Sequence, residues 1–283
     1  MYDIEMKIFR NIKILLAFCI EKCYNKLVNE LKGRRAEIGY IQSFKRFETK
    51  YLLTHEQKTV LLEAVGSLLQ QDKYGEYSIC NLYLDTDDFY FIETSLDKPI
   101  YKEKLRVRSY GNVSGQDNVF FEIKKKFDGV VYKRRITIPH SEAESYINDG
   151  IKPQSIDGYH ANQIFNEIDF LMQKYKPKQK IYLAYDREAY FSPQYPDLRV
   201  TFDRNIRSRW DDITLSHDND TSLLNTGTED YRLMEIKSSG AIPIGFARIL
   251  SELKIRPVSF SKYGNIYKAR WSKLREESNE VKT

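Results

Sequence analysis

The sequence predicts an α+β fold, in which an antiparallel sheet of roughly eight strands is broken by a few helices. Short runs such as "KLRVRSYG" (104–111) and "FFEIKKKF" (120–127) alternate apolar with charged residues, which is typical of strands with one buried face. Tyrosine (21) and phenylalanine (15) are abundant, and both favour strands. The pattern leaves two architectures open: an open sheet with a solvated face, or a closed barrel with a polar interior and helices outside.

The first half of the chain divides into clear elements. Residues 1–40 are predicted to form an amphipathic N-terminal helix and a linker, and residues 42–54 a strand. Thr54 and Gln57 have the spacing of a capping box at the start of a helix over 55–71. A strand at 77–86 and a short helix or turn at 87–96 follow. Residues 101–111, 118–127 and 130–139 then read as three strands, and "DG" at 128–129 predicts the hairpin between the last two.

The second half begins with helices and returns to strands. Ser141 and Glu144 suggest a second capping box, and Gly150 the end of that helix. Helical periodicity covers 159–175, and strands are expected at 176–191, 198–209 and 231–240. A helix follows at 243–255, with a proline near its start. We expect the main domain to span 41–272 and a charged tail to span 273–283.

Composition restricts the compartment and the partners. The three cysteines, Cys19, Cys23 and Cys80, are few and odd in number, which favours a reducing, cytoplasmic compartment. The apolar run "ILLAFCI" (14–20) is too short to span a membrane. The N-terminal helix could pack on the domain, bind a protein partner or touch a membrane surface. A formal net charge of +5 does not by itself imply a polyanionic partner.

The alternation gathers charged side chains on one face of the predicted strands. Like charges side by side repel, so this arrangement costs stability unless an anion lies between them. A chain of phosphates is the simplest such anion, because arginine binds phosphate oxygens bidentately and lysine acts as a point charge. For any single strand, an ordinary solvated face stays the alternative. The basic members of this face are Arg46, Lys50, Arg106, Arg108, Lys124, Lys126, Lys133, Arg135, Arg199 and Lys237.

The acidic members of the same face, Glu48, Glu122, Asp203 and Glu235, have two interpretations. They are either salt-bridge partners of the basic residues or ligands of a divalent cation that neutralises a triphosphate. Glu235 is the favoured ligand, because it lies in mid-strand with apolar neighbours on the opposite face. The four histidines are far apart in sequence, so any metal is expected to be held by carboxylates and to be Mn²⁺ or Mg²⁺.

Three further polar residues have a local and a functional interpretation. Ser261 and Lys262, in "SFSKYGN" (259–265), are expected to follow a helix and precede a short turn, where they could be solvated or close over a phosphate. Arg187, in "AYDREAY", either pairs with Asp186 or Glu188 beside it or joins the charged face.

Taken in order, the motifs resemble the VTC-type polyphosphate polymerase domain, a member of the triphosphate tunnel metalloenzymes. They are "RFETKYLL", "LRVRSYG", "FFEIKKK", "KRRITI", "YDREAY", "LRVTFD", "LMEIKSSG" and "FSKYGN". The resemblance covers about residues 42–270. It implies a closed, antiparallel eight-stranded β-tunnel with a basic interior and helices packed outside. It also implies transfer of the γ-phosphate of ATP to a growing polyphosphate chain, with Mn²⁺ or Mg²⁺ bound to the triphosphate.

The resemblance assigns roles by matching positions. Catalytic contacts with phosphate are implied for Lys50, Arg106, Arg108, Lys124, Arg187 and Arg199. Further substrate contacts are expected from Glu48, Lys126, Lys133, Arg135, Ser261 and Lys262, and metal binding is implied for Glu235. One departure concerns the first strand, where Arg46-x-Glu48-x-Lys50 replaces the E-x-E-x-K of the wider superfamily. A basic residue at that point favours holding phosphate over activating water.

Two other functions stay open. The same site could hydrolyse triphosphate or short polyphosphate, or it could bind polyphosphate or an inositol phosphate without turnover. Nucleic-acid binding is disfavoured, because the tyrosines show no base-stacking platform in the sequence.

Overall fold

The computed structural model describes residues 47–128, 130–225 and 230–280. The predicted N-terminal helix and linker at 1–40 lie outside these ranges, as do Arg46 and residues 281–283. The described strands are β1 (Phe47–Thr54), β2 (Gln70–Asp85), β3 (Tyr101–Tyr110), β4 (Asn118–Phe127), β5 (Val130–Pro139), β6 (Lys178–Phe191), β7 (Arg199–Arg209), β8 (Ser222–Leu223) and β9 (Tyr231–Ser238). The described α-helices are α1 (His55–Val65), α2 (Tyr90–Leu96), α3 (His140–Asp149), α4 (Tyr159–Tyr175), α5 (Ile244–Glu252) and α6 (Lys262–Glu280).

All strands join one antiparallel sheet in the order β1-β9-β7-β6-β2-β3-β4-β5, and the two-residue β8 pairs with β7. The α+β class is therefore confirmed, with one short strand more than the eight expected. Within the described ranges no strand pairing joins β1 to β5, so the predicted closed barrel is not confirmed. The sheet nevertheless curls strongly, because Lys124 Nζ on β4 lies 3.9 Å from Glu48 Oε2 on β1, near the opposite end of the strand order.

Helices cover both halves of the convex face. One core packs the convex side of β2 to β6 against α3 and α4, with Phe121 and Ile168 fully buried at its centre. Another packs the convex side of β1, β7 and β9 against α1 and α5, around Phe202 and Phe246. The apolar parity of the strands thus points outward into these helical layers, and the charged parity faces the concave side.

A third core lies on the concave side itself, at one end of the sheet. There α2 and α6 pack against inward-facing apolar residues of β2, β6 and β9. Tyr263 of α6 stacks on Tyr83 of β2 with ring centroids 4.7 Å apart, and its hydroxyl donates a hydrogen bond to Asp85 Oδ2 at 3.0 Å. One end of the concavity is therefore filled by protein.

The helix boundaries follow from local hydrogen bonds. Thr54 and Gln57 form the predicted capping box, and Gly150, at φ +72°, ends α3 as expected. The predicted capping box at Ser141 and Glu144 is wrong: α3 begins at His140 without a side-chain cap. Its first amides are already satisfied, because His140 N donates to Asp117 O and Ser141 N to Gly115 O.

Two further boundaries differ from the sequence prediction. The first helix ends at Val65, because Gly66 takes φ +48° and Gln70 already belongs to β2. The segment after Ser261 is a long helix, α6, and not the predicted short turn, and it continues past residue 272. Its apolar stripe (Tyr263, Ile266, Tyr267) has helical spacing and is buried. None of the described helices is both long enough and apolar enough to cross a membrane.

Candidate functional site

The register of β3, β4 and β5 lines up three lysines on the concave face. Lys104 pairs with Lys124, and Lys124 pairs with Lys133. We call these three residues the lysine row. Like charges directly opposite one another across a ladder are destabilising. Lys102 and Lys126 form the next inward-facing pair along β3 and β4, so the repulsion extends beyond the row.

The pKa values of these lysines reflect their crowding. Burial lowers the pKa of Lys104 to about 8, with Lys124, Lys102 and Lys50 adding to the effect and Tyr83 opposing it. Burial likewise lowers the pKa of Lys133 to about 8, although Glu122 opposes the shift. The pKa of Lys124 is also lowered, by burial first. The ammonium groups of the lysine row are therefore destabilised by burial and by mutual repulsion, and a bound anion would reduce this cost.

Glu122 of β4 is the acidic centre beside the lysine row. Arg106 Nη2 lies 2.7 Å from its Oε2 and Lys133 Nζ lies 2.7 Å from its Oε1, while Arg108 Nε is 3.8 Å away. Burial alone would raise the pKa of Glu122, but Arg106, Arg108 and Lys133 hold it at about 2. Glu122 therefore stays ionised and orients these cations.

Each arginine of the RxR pair is held by groups on neighbouring strands. Arg106 also donates a hydrogen bond to Tyr83 Oη at 3.1 Å. Arg108, 7% exposed, donates to Asn81 Oδ1 at 3.0 Å and to Tyr185 Oη at 3.5 Å. These neutral partners, together with the carboxylate of Glu122, fix the positions of the two guanidinium groups, which suits a preorganised anion site.

A second cluster surrounds the buried carboxylates of Asp203 and Glu235. Arg187 binds Asp203 bidentately, at 2.6 and 2.8 Å, and lies 3.6 Å from Glu235. Lys262 Nζ bridges the two acids, at 2.5 Å from Asp203 and 3.0 Å from Glu235. Burial would raise the pKa of Asp203, but Arg187 and Lys262 lower it. Arg187 thus pairs across strands and not with Asp186 or Glu188 beside it.

Lys50 connects this cluster to the edge of the sheet. Its Nζ lies 3.5 Å from both Glu48 Oε1 and Glu235 Oε1 and donates a hydrogen bond to Phe260 O at 3.0 Å. Glu48 in turn lies near Lys124. The lysine row and the buried acids therefore form one continuous charged surface across the concavity.

Four of the predicted residues stand outside these clusters. Arg199 is exposed, opposite Lys237 in the register, and Lys126 is exposed near the end of β4. Arg135 lies over the ring of Phe120, at 4.4 Å from its centroid. Ser261 Oγ accepts a hydrogen bond from Gly264 N at 3.2 Å, as the cap of α6.

The sequence reasoning missed several residues of this surface. Lys104 has the same strand parity as Arg106, and that signal alone could have placed it on the concave face. Asn81 and Tyr83 carry no such signal, because polar and aromatic residues on a strand become arginine partners only through the register with β3.

The donor set for a metal is limited. Within the described residues, no group of three or more histidine, cysteine, aspartate or glutamate side chains has a metal-binding arrangement. Both oxygens of Glu235 face cations: Lys50 and Lys262 lie near Oε1, and Arg187 and Lys237 near Oε2. Glu48 is the other carboxylate that contacts Lys50. The two carboxylates that contact Lys50 therefore lie amid several positive charges.

Comparison with known proteins adds the family. The VTC domain matches residues 45–270, and no curated protein matches the chain in sequence. A candidate adenylate cyclase from Bacillus halodurans is 17% identical, with 77% of this chain and 95% of that chain covered at a TM-score of 0.46. A candidate adenylyl cyclase from Hippeastrum, described as having a dominant triphosphatase activity, is 12% identical, with 78% and 95% covered at a TM-score of 0.46.

Proposed function

We propose that this chain, which belongs to the VTC domain family, transfers the γ-phosphate of ATP to a growing polyphosphate chain in a metal-dependent reaction. The family itself is one of polyphosphate-related enzymes of phosphoryl transfer or hydrolysis. We propose three further points for this chain: that it polymerises phosphate, that its donor is a nucleotide, and that individual residues have the roles given below.

The observation that carries the proposal is the lysine row. Lys104, Lys124 and Lys133 lie side by side on neighbouring strands, with Arg106 and Arg108 beside them on the same face. Glu122 compensates only part of this charge. A linear polyanion with closely spaced charges matches such a surface, whereas a ligand with a single negative charge would leave most of the repulsion in place.

Phosphoryl transfer requires in-line positioning and neutralisation of charge more than covalent chemistry from the protein. Arg106, Arg108 and Lys124 would bind the phosphates of the donor, and Arg187 and Lys50 the acceptor phosphate. The acceptor needs no general base, because its terminal oxygen is already ionised near neutral pH. Tyr263 and its neighbours on α6 fill one end of the concavity, and exclusion of water from the reacting phosphates would favour phosphate over water as the acceptor.

The carboxylates fit a divalent metal that arrives with phosphate. Glu235 and Glu48 would hold it, while phosphate oxygens and water complete the oxygen ligands, as is usual for Mg²⁺ at nucleotide sites. The four cations around Glu235 disfavour a metal without that added negative charge. When bound, Mn²⁺ or Mg²⁺ would neutralise charge on the triphosphate.

Incubation of the purified chain with ATP and Mn²⁺ tests the proposal. We expect ADP together with long polyphosphate on a gel, and loss of both in Arg106→Ala. Arg134→Ala is the matched control, because Arg134 belongs to the neighbouring strand β5, faces the convex side and pairs with Glu167. Free phosphate without a polymer would indicate the hydrolase instead, and tight binding of polyphosphate without ADP release would indicate a binding module.

A further inference from the structure

A row of aromatic rings crosses the concave face at the end of the sheet away from α6. Tyr77 of β2, Tyr110 of β3 and Phe120 of β4 lie side by side, with ring centroids 5.8 Å apart in the first pair and 5.6 Å in the second. Tyr74 extends the row at 6.3 Å from Tyr77. The rings come from three different strands, so only the register brings them together.

The rings of this aromatic row are accessible. Tyr110 is 51% exposed, and Tyr77 and Phe120 are half-buried. At the other end of the concavity, Tyr83 and Tyr263 are stacked on each other and buried. Tyr110 at the open end therefore offers a ligand more ring surface than this buried pair does.

Guanidinium groups border the row on the side of the phosphate surface. Phe120 is opposite Arg108 in the β3–β4 register, and Tyr77 is opposite Arg187 in the β2–β6 register. Arg135 lies over Phe120. Ring surface and positive charge are therefore adjacent on one face.

We propose that the aromatic row binds the nucleobase of a nucleoside triphosphate whose phosphates lie against the neighbouring arginines and the lysine row. The inference rests on the proposed function and adds where the base of its nucleotide donor is bound. A nucleotide carries an aromatic plane at one end of an anionic chain, whereas inorganic oligophosphate has no such plane. Tyr110 is four residues from Arg106 on one strand, about 13 Å, so one extended ligand can reach both.

The recognition would be tolerant of base identity. Stacking uses the π-face that every base presents, and the row offers rings and hydroxyl groups without a fixed pattern of hydrogen-bond donors. The row therefore distinguishes nucleotide from inorganic phosphate and does not select adenine over guanine.

Titration calorimetry with two probes, ATP and inorganic tripolyphosphate, each in the presence of Mg²⁺, tests the inference. In Tyr110→Ala we expect the affinity for ATP to fall about fivefold or more, while the affinity for tripolyphosphate stays within about twofold. Tyr110→Phe retains the ring and should restore ATP binding. Tyr132→Ala is the matched control, because Tyr132 is similarly exposed (44%) on the convex side of β5.

The outcomes separate this inference from the proposed function. If ATP affinity is unchanged in both Tyr110→Ala and Phe120→Ala while wild type binds both probes, the nucleobase site is overturned and the phosphate site stands. Equal losses for ATP and tripolyphosphate would also overturn it, because the row would then serve the phosphate surface or the fold. If wild type binds neither probe, the phosphate site and the nucleobase site fall together.

Discussion

Single residues of the lysine row set the pH range in which the concave face can hold an anion. Lys104 combines a lowered pKa of about 8 with three lysine neighbours that repel it. Its ammonium group also lies over the ring of Tyr263, 5.8 Å from the ring centroid. A lysine in this position is protonated more easily when an anion is bound.

The first prediction concerns the pH dependence of tripolyphosphate binding. The free-state pKa of Lys104 is depressed and binding favours its protonated form, so affinity should be highest below pH 8 and fall as pH rises through about 8 to 9.5. Lys104→Met should weaken binding at pH 7 and flatten this fall, leaving the contribution of Lys133. Calorimetric titrations with tripolyphosphate at pH 7, 8 and 9 measure the affinity of wild type and of the variant.

The control for this experiment is Lys268→Met, which changes an exposed lysine on α6. We expect its pH profile to match wild type. A Lys104→Met profile as steep as that of wild type would contradict the assignment of the titration to Lys104.

At the scale of residues, strand parity predicted the charged face well, because alternation is a local property of the backbone. It placed Arg106 and Arg108 together and separated them from Leu105 and Val107, which are buried on the other side. Parity could not predict that Arg187 pairs with Asp203, since that contact depends on the register of β6 with β7. Partner choice needed the three-dimensional pairing.

At the scale of elements, the helix α6 contributes a lysine to the buried ion network and so connects this helix to three strands of the sheet. Its first residue, Lys262, contacts Asp203 of β7 and Glu235 of β9, and Arg187 of β6 completes the network. Asp203 is fully buried. Removing one partner from such a network leaves uncompensated charge in the interior.

We therefore predict that Asp203→Asn lowers the free energy of unfolding by about 3–5 kcal/mol, measured by urea denaturation monitored by circular dichroism. Asp87→Asn is the control, because Asp87 also contacts two lysines, Lys178 and Lys180, but is exposed. Its unfolding midpoint should stay close to wild type. An equally small effect at Asp203 would mean that the network relaxes without cost.

One feature of the sequence indicates that a helix must cover part of the concave face, as α6 does. Ile181, Tyr182 and Leu183 are consecutive on β6 and all are fully buried, which requires apolar packing on both faces of the strand. Such runs predict cover on the concave side as well. They do not identify the covering element, because any later helix with an apolar stripe would satisfy them.

At the scale of the whole molecule, helices on the convex side and one helical core on the concave side stabilise the curled sheet. The lysines of its charged concave face repel one another. β1 and β5 are not joined by strand pairing in the described residues, and the Lys124–Glu48 contact at 3.9 Å spans the concavity. A polyanion that bridges Lys50, Lys124 and Lys104 would therefore bind the folded sheet and not the unfolded chain, and should stabilise the fold.

The last prediction follows from this linkage and from the cations around Glu235. Tripolyphosphate at about 100 times its Kd should stabilise the fold by about 2.7 kcal/mol, which raises the thermal midpoint by about 5 °C or more. Mn²⁺ alone should shift the thermal midpoint little, because cations surround the carboxylates of Glu235 and Glu48 that would bind it. When tripolyphosphate is present, Mn²⁺ should increase the shift. For Glu235→Gln, each shift is measured from the ligand-free midpoint of that variant. We expect the shift from tripolyphosphate to remain and the additional shift from Mn²⁺ to disappear. Differential scanning fluorimetry gives all these midpoints, and a full shift with Mn²⁺ alone would show that the carboxylates bind metal without phosphate.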